Sequence, residues 1–401
     1  MRTLPYAVLL YTPANKGAIL EYVAHLAAAL PADRAQVFLQ TGECSAWPPD
    51  WPALPGRVSN LALPSPARYG TLRWALSRYA WALANGARRL ALARQLKADI
   101  IHMQTVLPWA DGFLAPLERR RSRVVCTVHD VAPHLYRLPR QLDRRLRGQY
   151  YRACAGLLFH SAANAAQFEQ EYGFAPRASA IVPHGLAWRG PVTEHQRSEA
   201  RRCLGLQDSQ PVILFFGNLR PGKGAAVMTD AFAEVRTRDS KAFLLVVGSS
   251  APHFDVAALE ERLQRLPNGS YRWIRGWLSD SERETCFHAA SVVVLPYTSF
   301  SSQSGVLLMA YRYACPVVVS DVGSLGETVA NDRSGLVVPP GQPDELARAI
   351  LHVLGDGALQ MELRDRIVGA AQEKYAWPVV AERTAQFYER LLGGGLSLIH
   401  I

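Results

Sequence analysis

Val212-Ile-Leu-Phe-Phe-Gly-Asn-Leu-Arg-Pro-Gly-Lys-Gly224 decides the fold class. Its five leading residues are apolar without alternation, the pattern of a strand covered on both faces. A loop with three glycines follows, then a helical pattern from Ala225. Gly217, Gly222 and Gly224 let backbone approach a ligand closely. Arg220 and Lys223 beside a helix start suit a diphosphate. The spacing is not that of a Walker loop. Taken alone, the segment also fits a plain strand-to-helix turn.

Similar apolar runs recur on both sides of this stretch. Before it stand Tyr6–Tyr11, Gln36–Gln40, Asp99–Met103, Arg123–Val128, Ala155–His160 and Ser179–Pro183. After it come Phe243–Val247, Tyr271–Ile274, Val292–Leu295, Pro316–Ser320 and Gly335–Val338. Helical patterns separate them, so the expected class is α/β with parallel doubly wound sheets. A polar, proline-bearing stretch, Leu186 to His195, interrupts the rhythm, as a linker would. The 401 residues then divide into a first domain at 1–190, a second at 191–376 and a closing helix at 377–395. Leu396-Ser-Leu-Ile-His-Ile401 lacks structural logic after the glycine run and is read as a non-native tail.

Hydrophobic residues make up 49% and charged residues 19%, which suits a globular chain. No apolar run reaches the ~18–20 residues of a spanning helix. Tyr6–Tyr11 reads as a first buried strand rather than a leader, and a cytoplasmic protein is expected. Cys44, Cys126, Cys154, Cys203, Cys286 and Cys315 show no metal or redox spacing and read as free thiols. Neither a metal site nor a bound cofactor is expected.

Charge is uneven. Residues 1–190 hold 23 Lys and Arg against 11 Asp and Glu, and the remainder holds 21 against 23. The basic residues cluster at Arg119–Arg123, at Arg137–Arg147, and along Leu72–Leu96 with Arg73, Arg78, Arg88, Arg89 and Arg94. Trp and Leu mix with Arg on that last segment, as on helices that lie on an anionic membrane surface. An ordinary amphipathic helix packed on a sheet is the alternative. Nucleic acid is not expected as a partner, because no binding module accompanies the charge.

Two further loops carry candidate chemistry. Leu295-Pro-Tyr-Thr-Ser-Phe-Ser-Ser-Gln-Ser-Gly305 leads from a strand into a helix. Ser301, Ser302, Gln303 and Ser304 crowd that helix start, where the dipole favours anions and one serine would suffice as a cap. Cys126-Thr-Val-His-Asp130 ends a strand on His129, with His134 following. Histidine is suited to proton exchange near neutral pH, and a satisfied structural histidine is the alternative.

Together, Thr127-Val-His-Asp130, Val182-Pro-His-Gly185, the loop Gly217–Gly224, Leu295-Pro296, Pro316–Glu327 and Arg333–Gly341 closely resemble glycosyltransferase family four. The resemblance implies the GT-B fold: two facing Rossmann-like domains with a cleft between them and a final helix returning to the first. It implies a retaining, metal-independent transfer from a nucleotide-sugar. By that likeness Arg220 and Lys223 hold the leaving diphosphate, and Ser302, Gln303, Ser304, Gly305 and Val306 supply backbone N–H groups. Gly217 and Gly17 lie near phosphate, Trp277 and Leu278 line the base pocket, and His129 adjoins the donor sugar. The basic first domain points to a lipid-linked or polysaccharide acceptor at the inner membrane face.

The chain departs from the family at one place. Most members carry two glutamates where Ser301 and Met309 stand here, and an arginine where Asn218 stands. A catalytically inactive member that binds a nucleotide or a partner is therefore the second reading. A nicotinamide oxidoreductase fits less well, since Pro13-Ala-Asn-Lys-Gly17 lacks the G-x-G-x-x-G pattern.

Overall fold

A computed structural model describes residues 5–14, 17–42, 56–59, 72–132, 138–300 and 303–393. Ser301, Ser302, His134, Arg137, Cys44 and the 396–401 tail lie outside them. The chain forms two compact units, one of Met1–Gly185 with Trp377–Ile401, the other of Leu186–Ala376. The division falls a few residues before position 190. Leu186 donates its N–H to the Tyr375 carbonyl and so belongs to the second unit.

The first unit holds β1 (Tyr6–Tyr11), β2 (Ala35–Thr41), β3 (Arg57–Ser59), β4 (Ile100–Met103), β5 (Arg123–Thr127), β6 (Gly156–Phe159) and β7 (Ser179–Ile181). They form one sheet in the order β3-β2-β1-β4-β5-β6-β7. The second unit holds β8 (Val212–Phe216), β9 (Phe243–Gly248), β10 (Tyr271–Arg275), β11 (Val292–Leu295), β12 (Val317–Ser320) and β13 (Gly335–Val338). Their order is β10-β9-β8-β11-β12-β13. All named pairings are parallel. Each sheet reverses its winding once, between β1 and β4 and between β8 and β11. Ligands of doubly wound sheets bind at the carboxyl ends beside such a reversal.

The apolar runs are explained by burial on both faces. Val212 and Leu214 of β8 enter one core cluster, while Ile213 and Phe215 enter another on the opposite face. In β1, Val8 and Leu10 point one way and Leu9 and Tyr11 the other. The short edge strand β3 was not foreseen, because Arg57-Val-Ser59 has a single strongly apolar residue.

The helix Trp377–Leu392 packs with the first unit. Val380, Ala381, Ala385, Phe387, Tyr388 and Leu391 join the cluster that contains Val8 and Leu10. Gly156 makes room for it, since a Cβ there would sit 2.5 Å from Phe387 Cζ.

One basic residue counted on the surface is inside. Arg89 of the helix Leu72–Gln95 is fully buried. Its Nε and Nη2 donate to Glu118 at 2.8 Å and Asp111 at 2.9 Å, and its guanidinium lies 4.3 Å from the Tyr11 ring centroid. Both carboxylates come from the helix Pro108–Glu118, so this triad ties the two helices to β1. Burial pushes the Glu118 carboxyl up, against the pull of Arg89. Arg73 is exposed, and Arg78 and Arg88 are half-buried. Arg89→Met leaves two carboxylates buried without a cation and is expected to cost about 3–5 kcal/mol. Urea unfolding of the full chain measures this, and a loss below about 1 kcal/mol would refute the structural role of the triad.

Candidate functional site

The reversal between β8 and β11 brings two loops together in the second unit. The loop after β8 carries Gly217, Arg220, Gly222, Lys223 and Gly224, and that after β11 carries Tyr297 and Phe300. Glycines permit the close approach. A Cβ at Gly224 would sit 1.7 Å from the Pro296 carbonyl oxygen, and φ there is +74°. The Thr298 N–H donates to the Gly222 carbonyl at 2.9 Å, fastening one loop to the other. At Gly217 a Cβ would lie 3.2 Å from Val306 Cγ2, so the helix Gly305–Arg312 joins the same place.

Lys223 rests on aromatic rings. Its Nζ lies 3.6 Å from the Tyr297 ring centroid and 5.0 Å from that of Phe300. Among the described residues neither Lys223 nor Arg220 is placed in an ion pair with a carboxylate. Burial, with Arg220 adjacent, pushes the Lys223 ammonium down to about 7. The ring faces compensate part of the desolvation. The helix Ala225–Arg238 that follows has no side-chain cap, so its first N–H groups add to the positive end. The arrangement can hold an anion with two charges and no metal ligand.

The remaining predicted residues surround this point unevenly. Ser304 is buried and caps the helix Gly305–Arg312 by accepting from the Leu307 N–H, and it lies 3.3 Å from the Tyr297 hydroxyl. The buried Gln303 Oε1 has no hydrogen-bond partner among the described residues, and Gly305 is exposed. Trp277 is 93% exposed just past β10, and Leu278 packs against the core. Met309, where a family member carries an acid, packs against that same core.

The first unit gathers histidines at the carboxyl ends of β4 to β7. His129 Nδ1 is 3.0 Å from His160 Nε2, and His129 Nε2 is 3.0 Å from Gln104 Oε1. His160 Nδ1 donates to the Val182 carbonyl at 2.9 Å. Tyr22 stands edge-on to both His129 and His160. Burial, then the neighbouring His160, His184 and His102, pushes His129 well below its ordinary value. Burial likewise takes His160 and His102 to about 3 and His184 to about 4. His129 is therefore neutral near physiological pH, with both ring nitrogens occupied. A cavity of about 240 Å³ adjoins it, lined among others by Gln104, Trp109, Asp130 and Arg147. Gly17, with φ +87°, opens the helix Ala18–Ala29 after β1.

The glycosyltransferase family 4 profile matches residues 21–187, and the glycosyl transferases group 1 profile matches residues 210–356. This chain belongs to the family-four, group 1 glycosyltransferases. A D-inositol 3-phosphate glycosyltransferase of Jonesia denitrificans is 28% identical over 397 residues, spanning 94% of this chain and 92% of that protein. Two solved structures share the GT-B fold at low identity. Sucrose-phosphate synthase from Thermosynechococcus elongatus superposes with a TM-score of 0.74 at 20% identity, covering 98% of this chain and 100% of that one. The Anabaena protein HepE, solved with UDP-glucose, gives 0.69 at 18% identity, covering 96% and 99%.

In this glycosyltransferase the sequence motifs marked the loops but not all of their contents. Tyr297, beneath Lys223, and Gln104 and His160, either side of His129, were not singled out as site residues. Gln104 and His160 directly follow a buried strand and Tyr297 stands two residues past one, which is the signal that marks them. Ser302 lies outside the described residues.

Gly224→Ala tests the loop junction. The methyl cannot coexist with the Pro296 carbonyl, and strain of about 1–3 kcal/mol is expected at a positive φ. Binding of UDP or another nucleoside diphosphate, by calorimetry, should weaken at least tenfold while the circular dichroism spectrum is kept. Unchanged affinity would dissociate this junction from anion binding.

Proposed function

We propose that this glycosyltransferase moves a sugar, with retention of configuration and without a divalent metal, from a nucleotide-sugar onto a lipid-linked or polysaccharide acceptor. The observation that carries the reading is the pair Arg220 and Lys223, held without carboxylate partners among the described residues beside an uncapped helix start. As the sugar–phosphate bond breaks, negative charge collects on the diphosphate, and preorganised cations lower that barrier. Gly217, the N–H groups from Gln303 to Val306, and Gly17 are proposed to add phosphate contacts. Trp277, standing bare in solvent, is proposed with Leu278 to cover the base. His129 is proposed to adjoin the donor sugar. HepE, solved with UDP-glucose, supports a nucleotide-sugar donor by similarity. A nucleotide-binding member without transfer is the second reading, favoured by Met309 in place of an acid.

Lys223→Ala removes one of the two cations, and about 2–4 kcal/mol of transition-state stabilisation should go with it. That is a fall in kcat/KM of about 30- to 1000-fold. In the same assay, excess chelator should leave the wild-type rate unchanged, and NMR of the product should show the donor's anomeric configuration. Wild-type kcat/KM in the variant would overturn the role of Lys223. The pH dependence has a definite sign. Lys223 is pushed down to about 7 in the free protein, and a bound diphosphate raises it again. Binding should therefore take up a proton at about pH 8, and affinity should fall as pH rises above about 7. Calorimetry in buffers of different ionisation enthalpy reads the uptake, which Lys223→Ala should abolish.

A membrane-facing surface is proposed on the first unit. Phe113 is 68% exposed, Leu76 60%, Leu142 45% and Leu117 37%, on three helices that pack side by side. Arg119, Arg120 and Arg121 are exposed where the middle helix ends. Among the described residues no helix is long and apolar enough to cross a membrane. Each basic residue near an anionic surface contributes about 1 kcal/mol, and the apolar side chains add to it. Co-sedimentation with vesicles should rise with anionic lipid, fall with salt, and drop at least fivefold when Phe113 and Leu117 become Ser. No binding to anionic vesicles at low salt would point to an acceptor free in solution.

A further inference from the structure

The histidine chain in the first unit carries a proton-counting constraint. From one end, the Val182 carbonyl can only accept, so His160 must hold its proton on Nδ1. His160 Nε2 is then a lone pair, and the His129 nitrogen 3.0 Å away, Nδ1, must be the donor. His129 Nε2 is left bare and requires a donor of its own. The atom facing it is Gln104 Oε1 at 3.0 Å, which has no proton to give. At the other end of the same amide, Gln104 Nε2 lies 3.1 Å from His102 Nε2.

Two arrangements resolve the conflict. One adds a third proton to the two rings, making an imidazolium in a buried pocket. His160 and His184 face that point, the Tyr22 ring covers it, and the neighbouring His102 lowers the basicity of His129 further. Burial holds these rings neutral. The other arrangement turns the Gln104 amide by half a turn. Its N–H then donates to His129 Nε2, and its oxygen accepts from His102 Nε2–H, which is shared with the Thr127 hydroxyl oxygen 2.8 Å from the same nitrogen. His102 Nδ1 in turn accepts from the Tyr388 hydroxyl, 2.5 Å away. Every donor now meets an acceptor and no charge is required.

We infer that Gln104 is a positioning residue that holds His129 as its Nδ1–H tautomer, in a chain whose direction is fixed by the Val182 carbonyl through His160 and which ends on His102 and Tyr388. Tyr388 lies on the helix Trp377–Leu392, so the far end of the chain rests on a hydroxyl distant in sequence that can donate or accept. The tautomer decides what His129 offers. A group that takes the place of the Gln104 amide on Nε2 must bring a proton, so His129 acts there as an acceptor for a hydroxyl. Resting on the glycosyltransferase reading, that hydroxyl belongs to a sugar, of donor or acceptor. A phosphate oxygen or a carbonyl would find no hydrogen to bond at Nε2.

The test is spectroscopic and does not require turnover. The full chain, labelled with 15N-histidine, gives two-bond 1H–15N correlations that distinguish Nδ1–H, Nε2–H and imidazolium. His129 is assigned by the signals lost in His129→Asn. At about neutral pH the expected pattern is neutral Nδ1–H. In Gln104→Glu the facing group is a carboxylate, which only accepts, and His129 should gain a proton on Nε2. In Tyr388→Phe His129 should stay Nδ1–H, because the Val182 carbonyl still fixes the chain from its other end, and a second His129 tautomer there would overturn the proposal. A wild-type His129 found as Nε2–H or as imidazolium overturns the proposal, as does a Gln104→Glu spectrum unchanged at His129. Should either variant fail to fold, the wild-type spectrum alone decides. If the tautomer is as expected but no sugar is transferred, the functional reading fails and the positioning role stands.

Discussion

Every central strand of both sheets has a hydrophobic layer on each face, and the rest of the structure answers to that requirement. The strands of each sheet run parallel, so each connection crosses over, mostly by a helix that covers a face, and all strand ends of one polarity collect on one edge. There the winding reverses, and loops distant in sequence meet, as those after β8 and β11 do. The glycines of the second unit follow from the same crowding. Gly224 sits where Pro296 leaves no room for a side chain, and Gly248 abuts the Gly217 carbonyl just as closely.

Burial at the sheet edge also sets the chemistry. Lys223 loses much of its hydration, and the rings of Tyr297 and Phe300 replace part of it without neutralising the charge. A carboxylate partner would hold the cation more firmly but would compete with an incoming diphosphate. The aromatic seat positions Lys223 without an acidic partner among the described residues, which suits the diphosphate role proposed for it. In the first unit the same desolvation acts on histidines, with the opposite consequence. His102, His129, His160 and His184 are kept neutral, and their tautomers, not their charges, become the variable.

The Arg89 triad shows a third response. Three charged groups are buried together, at a desolvation cost that hydrophobic residues of the same shape would avoid. What the triad provides is direction. Asp111 and Glu118 stand two turns apart on one helix, and a single guanidinium between them fixes how that helix lies on its neighbour. Beyond this packed seam the same helix exposes Phe113 and Leu117.

The doubly wound architecture was legible in the sequence because short runs such as Val212–Phe216 and Val292–Leu295 are apolar on both parities and alternate with helical patterns, as in a sheet with two covered faces. The crowding of the loop Gly217–Gly224 was legible too, since its three glycines mark close backbone approach, and each meets a neighbouring loop or helix in the structure. β3 was not, because a three-residue edge strand needs few apolar contacts to form. Arg89 was misassigned to the surface, since a charge on a helix reads as solvated until its partners, 22 and 29 residues away, are placed. Tyr297 beneath Lys223 and Gln104 beside His129 belong to the same class. Local periodicity states which residues must be buried. Only the tertiary structure states which buried polar groups face one another, because that depends on loops brought together by the strand order and not on any spacing along the chain.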